Sequence, residues 1–453
     1  MHDLTEGSIT RHLIKLAMPI AVGMLFQTLY YLIDLYFVAH IGDAAIAGVG
    51  AAGNLTFIVM ALTQVLGVGT VTLIAQAVGR KDQADANLVF NQSLALATLC
   101  ALVTLGAGYA GVAPYMQALG ADAATVAAGI DYLRWYLPGL ALQFAIVSMG
   151  SALRGTGIAK PTMIVQMLTV VLNAVLAPVL IAGWGSGRPL GVAGAGLATT
   201  IALAFGVVLL ALYFGRLEKF VRFERTLWKP QLDAWRRILR IGLPAGGEFA
   251  LMFVYMAVIY TVIRDFGAAA QAGFGIGGRV MQAIFLPAIA IAFAASPIAG
   301  QNVGAGSIER VRATFRTAAG LGSAIMLVLT LLCQIQPGWF VTPFTHDAAV
   351  VGVAAEFLRY ISWNFVASGI VFTCSGMFQA LGNTVPSLIS SASRLLTFTV
   401  PVVWLSQQPG FQLHYVWLVS MASVALQALF SLWLLRRELR QRVGPLQAAP
   451  AAA

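Results

Sequence analysis

Lys15-Leu16-Ala17-Met18-Pro19 and Arg240-Ile241-Gly242-Leu243-Pro244 decide the fold, because they stand 225 positions apart in one register. Each places a basic residue and then a proline at the mouth of a long apolar run. At the same offset Gly42 falls on Gly267, Ala47-Gly48 on Ala272-Gly273, and Gln76-Ala77-Val78-Gly79 on Gln301-Asn302-Val303-Gly304. Asp122-Ala123 falls on Asp347-Ala348, Leu133-Arg134 on Leu358-Arg359, and Gly157 and Pro161 on Gly382 and Pro386. Apolar residues coincide by chance in any hydrophobic chain. Gly, Pro, Gln and Asp held in one register over about 140 positions mark an internal repeat.

Composition says what is repeated. Of 453 residues, 10% are charged and 59% apolar, against about 25% and 45–50% in a soluble domain. Seventeen carboxylates cannot clothe a soluble globule of this length, which excludes a soluble enzyme. Disorder is excluded too, since disordered chains are poor in apolar residues. The net charge of +10 would suit nucleic acid only on one folded basic face. Here the basic residues sit in short clusters between apolar runs, so no nucleic-acid partner is expected. Cys100, Cys333 and Cys374 lie inside apolar runs without paired spacing and read as small buried hydrophobes, not as a disulfide framework or zinc site. Met1–Arg11 is polar and the apolar stretch after it is too long for an h-region, so no cleavable signal peptide is expected.

A membrane-crossing helix needs roughly 20 mainly apolar residues. Twelve such runs are found: 13–39, 46–78, 90–113, 129–153, 162–184, 190–214, 236–263, 270–300, 314–337, 351–378, 385–405 and 412–435. The longest polar connector, 215–235, divides an N-terminal lobe (1–214) from a C-terminal lobe (236–440), and an Ala/Pro-rich tail at 441–453 is expected to be disordered. Lysine and arginine stay on the cytoplasmic side. With both termini placed there, 21 of the 27 basic residues are inside. The expectation is an all-α integral membrane protein of twelve helices in two six-helix lobes. Six spans separate equivalent points, so the repeat is parallel, about an axis along the membrane normal. Two like lobes around a cleft can expose it to either side in turn, which is alternating access, with substrate at the repeat interface.

Specific segments resemble a known family. Leu4-Thr5-Glu6-Gly7-Ser8-Ile9, Leu16-Ala17-Met18-Pro19 and Ile33-Asp34-Leu35-Tyr36-Phe37-Val38 resemble the first span of the multidrug and toxic compound extrusion (MATE) transporters. Ala152-Leu153-Arg154-Gly155-Thr156-Gly157 and Gly300-Gln301-Asn302-Val303-Gly304-Ala305-Gly306 are similar to its loops after the fourth and eighth spans. The resemblance covers residues 4–440 or so. It implies an antiporter, not an enzyme and without a cofactor, that expels small organic, often cationic, compounds in exchange for inward-moving H⁺ or Na⁺. It also implies a multi-pass protein of the bacterial inner membrane, embedded in lipid and expected as a monomer.

A charge inside a span is costly, so one that is kept there usually faces a cavity and acts. Asp34 is the first candidate. Gln27, Tyr31 and Asp34 share a helix face at i, i+4 and i+7. The repeat partner of Asp34 is Ile259, so only one lobe carries the acid. The resemblance makes Asp34 a proton or cation site completed by Asn173 on the fifth span and Thr199 on the sixth. Where the family often has a second aspartate one turn after that asparagine, this chain has Ala177. A lone carboxylate favours H⁺ over Na⁺ as the coupling ion. Glu248, four residues after Pro244, is the second candidate acid. It is displaced by about a turn from a glutamate that some family members carry, and pairing with Arg237 or Arg240 is the plain alternative. Arg279 and Arg394 are basic residues of C-lobe spans, read as structural. Two other functions fit the sequence less well. A flippase for lipid-linked oligosaccharides, from the wider superfamily, needs cations lining the cleft for pyrophosphate, and most of them are cytoplasmic here. A membrane-embedded enzyme needs a histidine–acid or nucleophile constellation, and none is visible in the sequence.

Overall fold

The structure is a computed structural model that describes residues 2–120 and 122–447, with side chains to residue 442. Among these residues the regular structure is all helical, and twelve helical segments are long and apolar enough to cross a membrane. In lipid every backbone N–H and C=O must be satisfied within its own segment, which leaves helices as the economical answer. The first nine spans are α1 (Ile9–Ala39), α2 (Asp43–Gly79), α3 (Gln83–Leu119), α4 (Ala123–Gly155), α5 (Lys160–Ile181), α6 (Val192–Arg216), α7 (Leu232–Ile263), α8 (Ala268–Gly304) and α9 (Ile308–Ile335). A four-residue helix, α10 (Gly338–Val341), precedes the tenth span.

That span is broken. α11 (Ala348–Ile361) and α12 (Phe365–Leu381) are separated by one tight turn at Ser362–Asn364. Side-chain hydrogen bonds tie the break to neighbouring helices. Thr330 Oγ1 donates to the Ser362 carbonyl at 2.8 Å, and Asn364 Nδ2 donates to the Ser420 carbonyl at 3.4 Å. α13 (Val385–Ser406) and α14 (Leu413–Gln447) complete the set. The helical assignment of α14 runs through residues 441–447 of the tail segment. Residues 448–453 of that tail lie outside the described residues.

Several helices outrun the apolar stretches that announced them. α2 and α3 have 37 residues each, about 55 Å at 1.5 Å per residue, against a hydrocarbon core of about 30 Å. Hydropathy locates the core, whereas caps fix the ends. Asp122 accepts from the Thr125 N–H at 2.7 Å to start α4, and Asp347 accepts from Ala349 N–H at 2.9 Å to start α11. These two caps are repeat mates. So are Gly42 and Gly267, which open α2 and α8 at positive φ (141° and 94°). The glycines and aspartates that reveal the repeat are thus the residues that punctuate the helices.

The chain divides into two compact units, Met1–Asp3 with Met18–Gly242, and Leu4–Ala17 with Leu243–Ala453. Membership changes within α1 at Ala17/Met18 and within α7 at Gly242/Leu243, which are again 225 positions apart. In the first unit the connector 215–235 is strapped to α3. Asn91 Nδ2 donates to the Arg222 carbonyl at 2.8 Å, and its Oδ1 accepts from Glu224 N at 2.9 Å and Trp228 Nε1 at 3.0 Å. Gln92 Nε2 donates to the Leu227 and Lys229 carbonyls at 2.6 and 2.8 Å, and Asn87 Oδ1 accepts from Arg222 N at 2.7 Å. In the second unit the same is done for residues 4–7. Leu4 N donates to Gln301 Oε1 at 2.9 Å, Asn302 Nδ2 to the Leu4 carbonyl at 3.2 Å, and Arg310 Nη1 to the Gly7 carbonyl at 3.2 Å.

Small residues let neighbouring helices of the first unit meet backbone to backbone, as membrane interfaces favour. A Cβ added at Gly48 of α2 would lie 2.8 Å from Gly129 N and Thr125 O of α4. The second unit packs on a buried aromatic cluster. Phe274 and Phe357 flank Trp417 with ring centroids at 5.7 and 4.8 Å. Cys333 and Cys374 are buried, Cys100 is half-buried, and all three are free thiols.

Candidate functional site

Asp34 lies about five-sixths of the way along α1, in the first unit, and its partners come from two other helices. Asn173 Nδ2 of α5 donates to Asp34 Oδ1 at 2.8 Å, and Thr199 Oγ1 of α6 donates to Oδ2 at 3.0 Å. Each carboxylate oxygen therefore has one neutral donor, and among the described residues no cation pairs with it. Asn173 is wholly buried and Thr199 nearly so, while Asp34 itself is half-buried. α5 carries Pro178 inside its last turns. Ala177, beside it, is fully buried, so no second carboxylate reaches this pocket from α5.

Two polar atoms there stay unpaired. Asn173 Oδ1 and the Tyr30 hydroxyl are buried with no hydrogen-bond partner, a rarity that asks for a reason. Around them stand aromatic side chains. Tyr30, Tyr31, Tyr132 and Tyr136 all lie within electrostatic reach of Asp34. Tyr132 and Tyr136 of α4 stack at 4.8 Å, and the Tyr136 hydroxyl meets Thr56 Oγ1 of α2 at 3.1 Å.

The sequence named Asp34, Asn173 and Thr199 together, and the structure brings them into one hydrogen-bonded set. Gln27 and Tyr31 are different. They contact each other, but neither hydrogen-bonds the carboxylate. Tyr30, at i−4 from Asp34, is the tyrosine with the buried hydroxyl. It stands at i+3 from Gln27 on the same helix face, so helical spacing alone could have selected it.

Glu248 of α7 has a comparable nest in the second unit, and no arginine is part of it. Its Oε2 accepts from Ser387 Oγ at 2.7 Å and Ser375 Oγ at 3.2 Å, and its Oε1 accepts from Ser391 Oγ at 3.3 Å. The Ser387 and Ser375 hydroxyls also lie 3.0 Å apart, and Gln427 Nε2 of α14 donates to Ser391 at 3.4 Å. The alternative partner Arg237 is engaged elsewhere, bidentate on Asp85 at 2.8 and 2.9 Å. From the tenth span, Ser375 of α12 reaches the acid. Ser387 and Ser391, one helical turn apart on α13, were missed, although their i, i+4 spacing was readable. Arg394 lies with its guanidinium 4.3 Å from the centre of the Tyr255 ring, which accounts for it as a packed cation.

Chemically, both sites can change protonation without rebuilding. An amide turned over offers its oxygen to a protonated carboxyl, and hydroxyls donate or accept as needed. Each acid is held only by neutral hydrogen-bond donors, so nothing in its nest supplies a fixed counter-charge.

Comparison with known proteins agrees with the fold. The sequence pattern of the MatE family matches twice, at residues 19–179 and 244–405, whose starting points are 225 apart. The chain is 27% identical over 402 residues to the probable multidrug resistance protein NorM of Thermotoga maritima, covering 87% of this chain and 85% of that protein. It is 24% identical over 410 residues to a protein named FAD transporter from Shewanella oneidensis, covering 88% and 89%. A solved structure of a MOP-superfamily transporter from Pyrococcus furiosus superposes with a TM-score of 0.89 at 25% identity, over 97% of this chain and 98% of that one. These relatives are transporters and not enzymes. With both halves matched across most of their length, the chain belongs to the MatE family and is a multi-pass membrane transporter of the multidrug and toxic compound extrusion class.

Proposed function

We propose that this transporter is a secondary antiporter that expels small organic compounds, often cationic, in exchange for inward-moving H⁺, by alternating access of its two six-span lobes. The observation that carries the coupling step is the Asp34 carboxylate, bonded to Asn173 and Thr199 and to no cation. A proton arriving from the outer side neutralises Asp34, and the Asn173 amide and Thr199 hydroxyl can exchange donor for acceptor roles to hold the neutral form. The charged and neutral forms favour different packings of α1, α5 and α6, so the ion shifts the conformational equilibrium by its differential affinity. Na⁺ is the second reading. The orphan Asn173 Oδ1 supports it as a further oxygen ligand, while a single carboxylate with no partner at Ala177 weighs against it. The distribution of 21 of 27 basic residues supports a bacterial plasma-membrane protein with both termini in the cytoplasm. Nothing in either acid site calls for a second copy, so we take the working unit as a monomer.

The test is export of ethidium from proteoliposomes carrying the purified protein. A pH gradient alone, with Na⁺ absent on both sides, should drive it, and Asp34→Asn should stop it while the variant still inserts and elutes as the wild type does. Export that follows a Na⁺ gradient and ignores pH would replace H⁺ by Na⁺, and full activity in Asp34→Asn would remove the coupling role.

A further inference from the structure

Arg279, on α8, takes no part in either acid site. Beside it, within the second unit, lies a cavity of about 460 Å³ whose lining includes Met256 and Tyr260 of α7 and Phe274, Gly275, Arg279 and Gln282 of α8. That volume falls within the range of small-molecule pockets. No acidic side chain lines it. Arg279 is exposed in the absence of lipid, and among the described residues no hydrogen-bond or ion-pair partner reaches its guanidinium. An unpaired cation is expensive in a membrane helix and, where it persists, faces a water-filled cavity or a substrate path.

The chemistry around it is selective. A guanidinium offers a planar fork of donors that fits carboxylate, phosphate or sulfonate two-pronged. Gln282, one turn along the same face, adds an amide donor. Tyr260, 37% exposed, and Met256 supply a flat and adaptable apolar wall. The space exists because Gly275 has no side chain, for a Cβ there would lie 3.3 Å from the Tyr260 hydroxyl. At the repeat offset of 225 Arg279 falls on Asn54, so this charge, like Asp34, belongs to one half only.

We propose that this cavity binds the acidic group of an organic anion with a flat apolar body, and that such anions are among the exported compounds. The inference rests on the efflux reading above and extends its substrate class beyond cations. The anionic group could also be that of a lipid, and the test separates the two sources.

The probe is fluorescein, followed by polarisation with the purified full-length protein in neutral detergent. Wild type should bind saturably. Arg279→Gln should weaken binding at least tenfold and Arg279→Lys distinctly less, with elution volume and melting temperature reporting that each variant is folded. Gln282→Leu, which keeps the charge, should weaken binding about threefold, and it supplies the test if Arg279→Gln does not yield folded protein. Absence of saturable binding, or unchanged affinity in Arg279→Gln or, failing that, in Gln282→Leu, overturns the site. Displacement of the dye by phosphatidylglycerol, with no fluorescein export under a gradient that exports ethidium, assigns the site to lipid and overturns the cargo claim. Failure of the efflux reading looks different, because ethidium then stays in the vesicles whatever fluorescein binding shows.

Discussion

The two intramembrane acids, both half-buried, make an instructive pair. Asp34 is held by one amide and one hydroxyl from two helices, with an amide oxygen and a phenol hydroxyl left over beside it. Glu248 is held by three serine hydroxyls, two of them linked to each other and the third to Gln427. The first nest has unspent polar capacity and aromatic walls. The second is saturated. A site that must accept an ion or proton and later release it needs unspent capacity, whereas a saturated nest serves to fix α7 against α12 and α13. The difference fits the coupling role proposed for Asp34 in the first lobe and suits Glu248 to bracing in the second.

The sharpest way to break that assignment is to neutralise each acid in the same vesicle assay. Asp34→Asn should bring pH-driven ethidium export to background. Glu248→Gln should cost only a few-fold, because its amide can still accept from the serines. Equal loss in both variants would make the lobes equivalent in coupling and end the comparison. Next in size is Asn173→Ala. It removes one hydrogen bond to a charged group, worth roughly 1.5–3 kcal/mol, so initial export rates should fall at least tenfold while Glu248→Gln protein remains more active. A wild-type rate in Asn173→Ala would detach the amide from coupling. Ala177→Asp sharpens the ion choice, since a second carboxylate near Asn173 should make export respond to a Na⁺ gradient. If the variant is folded and active yet stays indifferent to Na⁺, the reasoning from charge count is wrong.

The smallest expected effect concerns the straps. Asn91→Ala strands the Arg222 carbonyl, the Glu224 N–H and the Trp228 indole N–H, a loss of about 2 kcal/mol. It should lower the melting temperature and speed hydrogen exchange in residues 222–229. Ethidium export per folded molecule should be unchanged. Exchange at wild-type rates there would show that the connector is held by other contacts.

Much of this was legible before any coordinates. Twelve spans follow from hydropathy, and the repeat register comes from the Gly and Asp residues that turn out to cap and turn the helices. Asp34, Asn173 and Thr199 were selected together because an acid in a span is rare and the family resemblance supplied its companions. The serines around Glu248 stayed hidden because hydroxyls are cheap and common in membrane helices, so their presence carries no signal until three of them converge. The break at Ser362–Asn364 was equally silent. It is tied to α9 by the Thr330 hydroxyl on the Ser362 carbonyl, 32 positions away, a contact that no local window of sequence records. The straps were unreadable for the same reason, since Asn91 and Arg222 are 131 positions apart.

One consequence of the second strap concerns synthesis. Leu4 is secured by Gln301 across a sequence separation of 297. At about 5–20 residues per second, the ribosome needs on the order of 15–60 s to reach Asn302 after making Leu4. Throughout that interval residues 4–17 are unclaimed by the helices that will hold them, while most of the spans around Asp34 have already emerged. Assembly therefore runs in a fixed order in which the earliest-made polar segment docks among the last. Substitutions at Gln301 or Arg310 should then appear as a maturation defect, with slow acquisition of protease resistance in newly made chains, before they appear in transport by protein that has finished assembling.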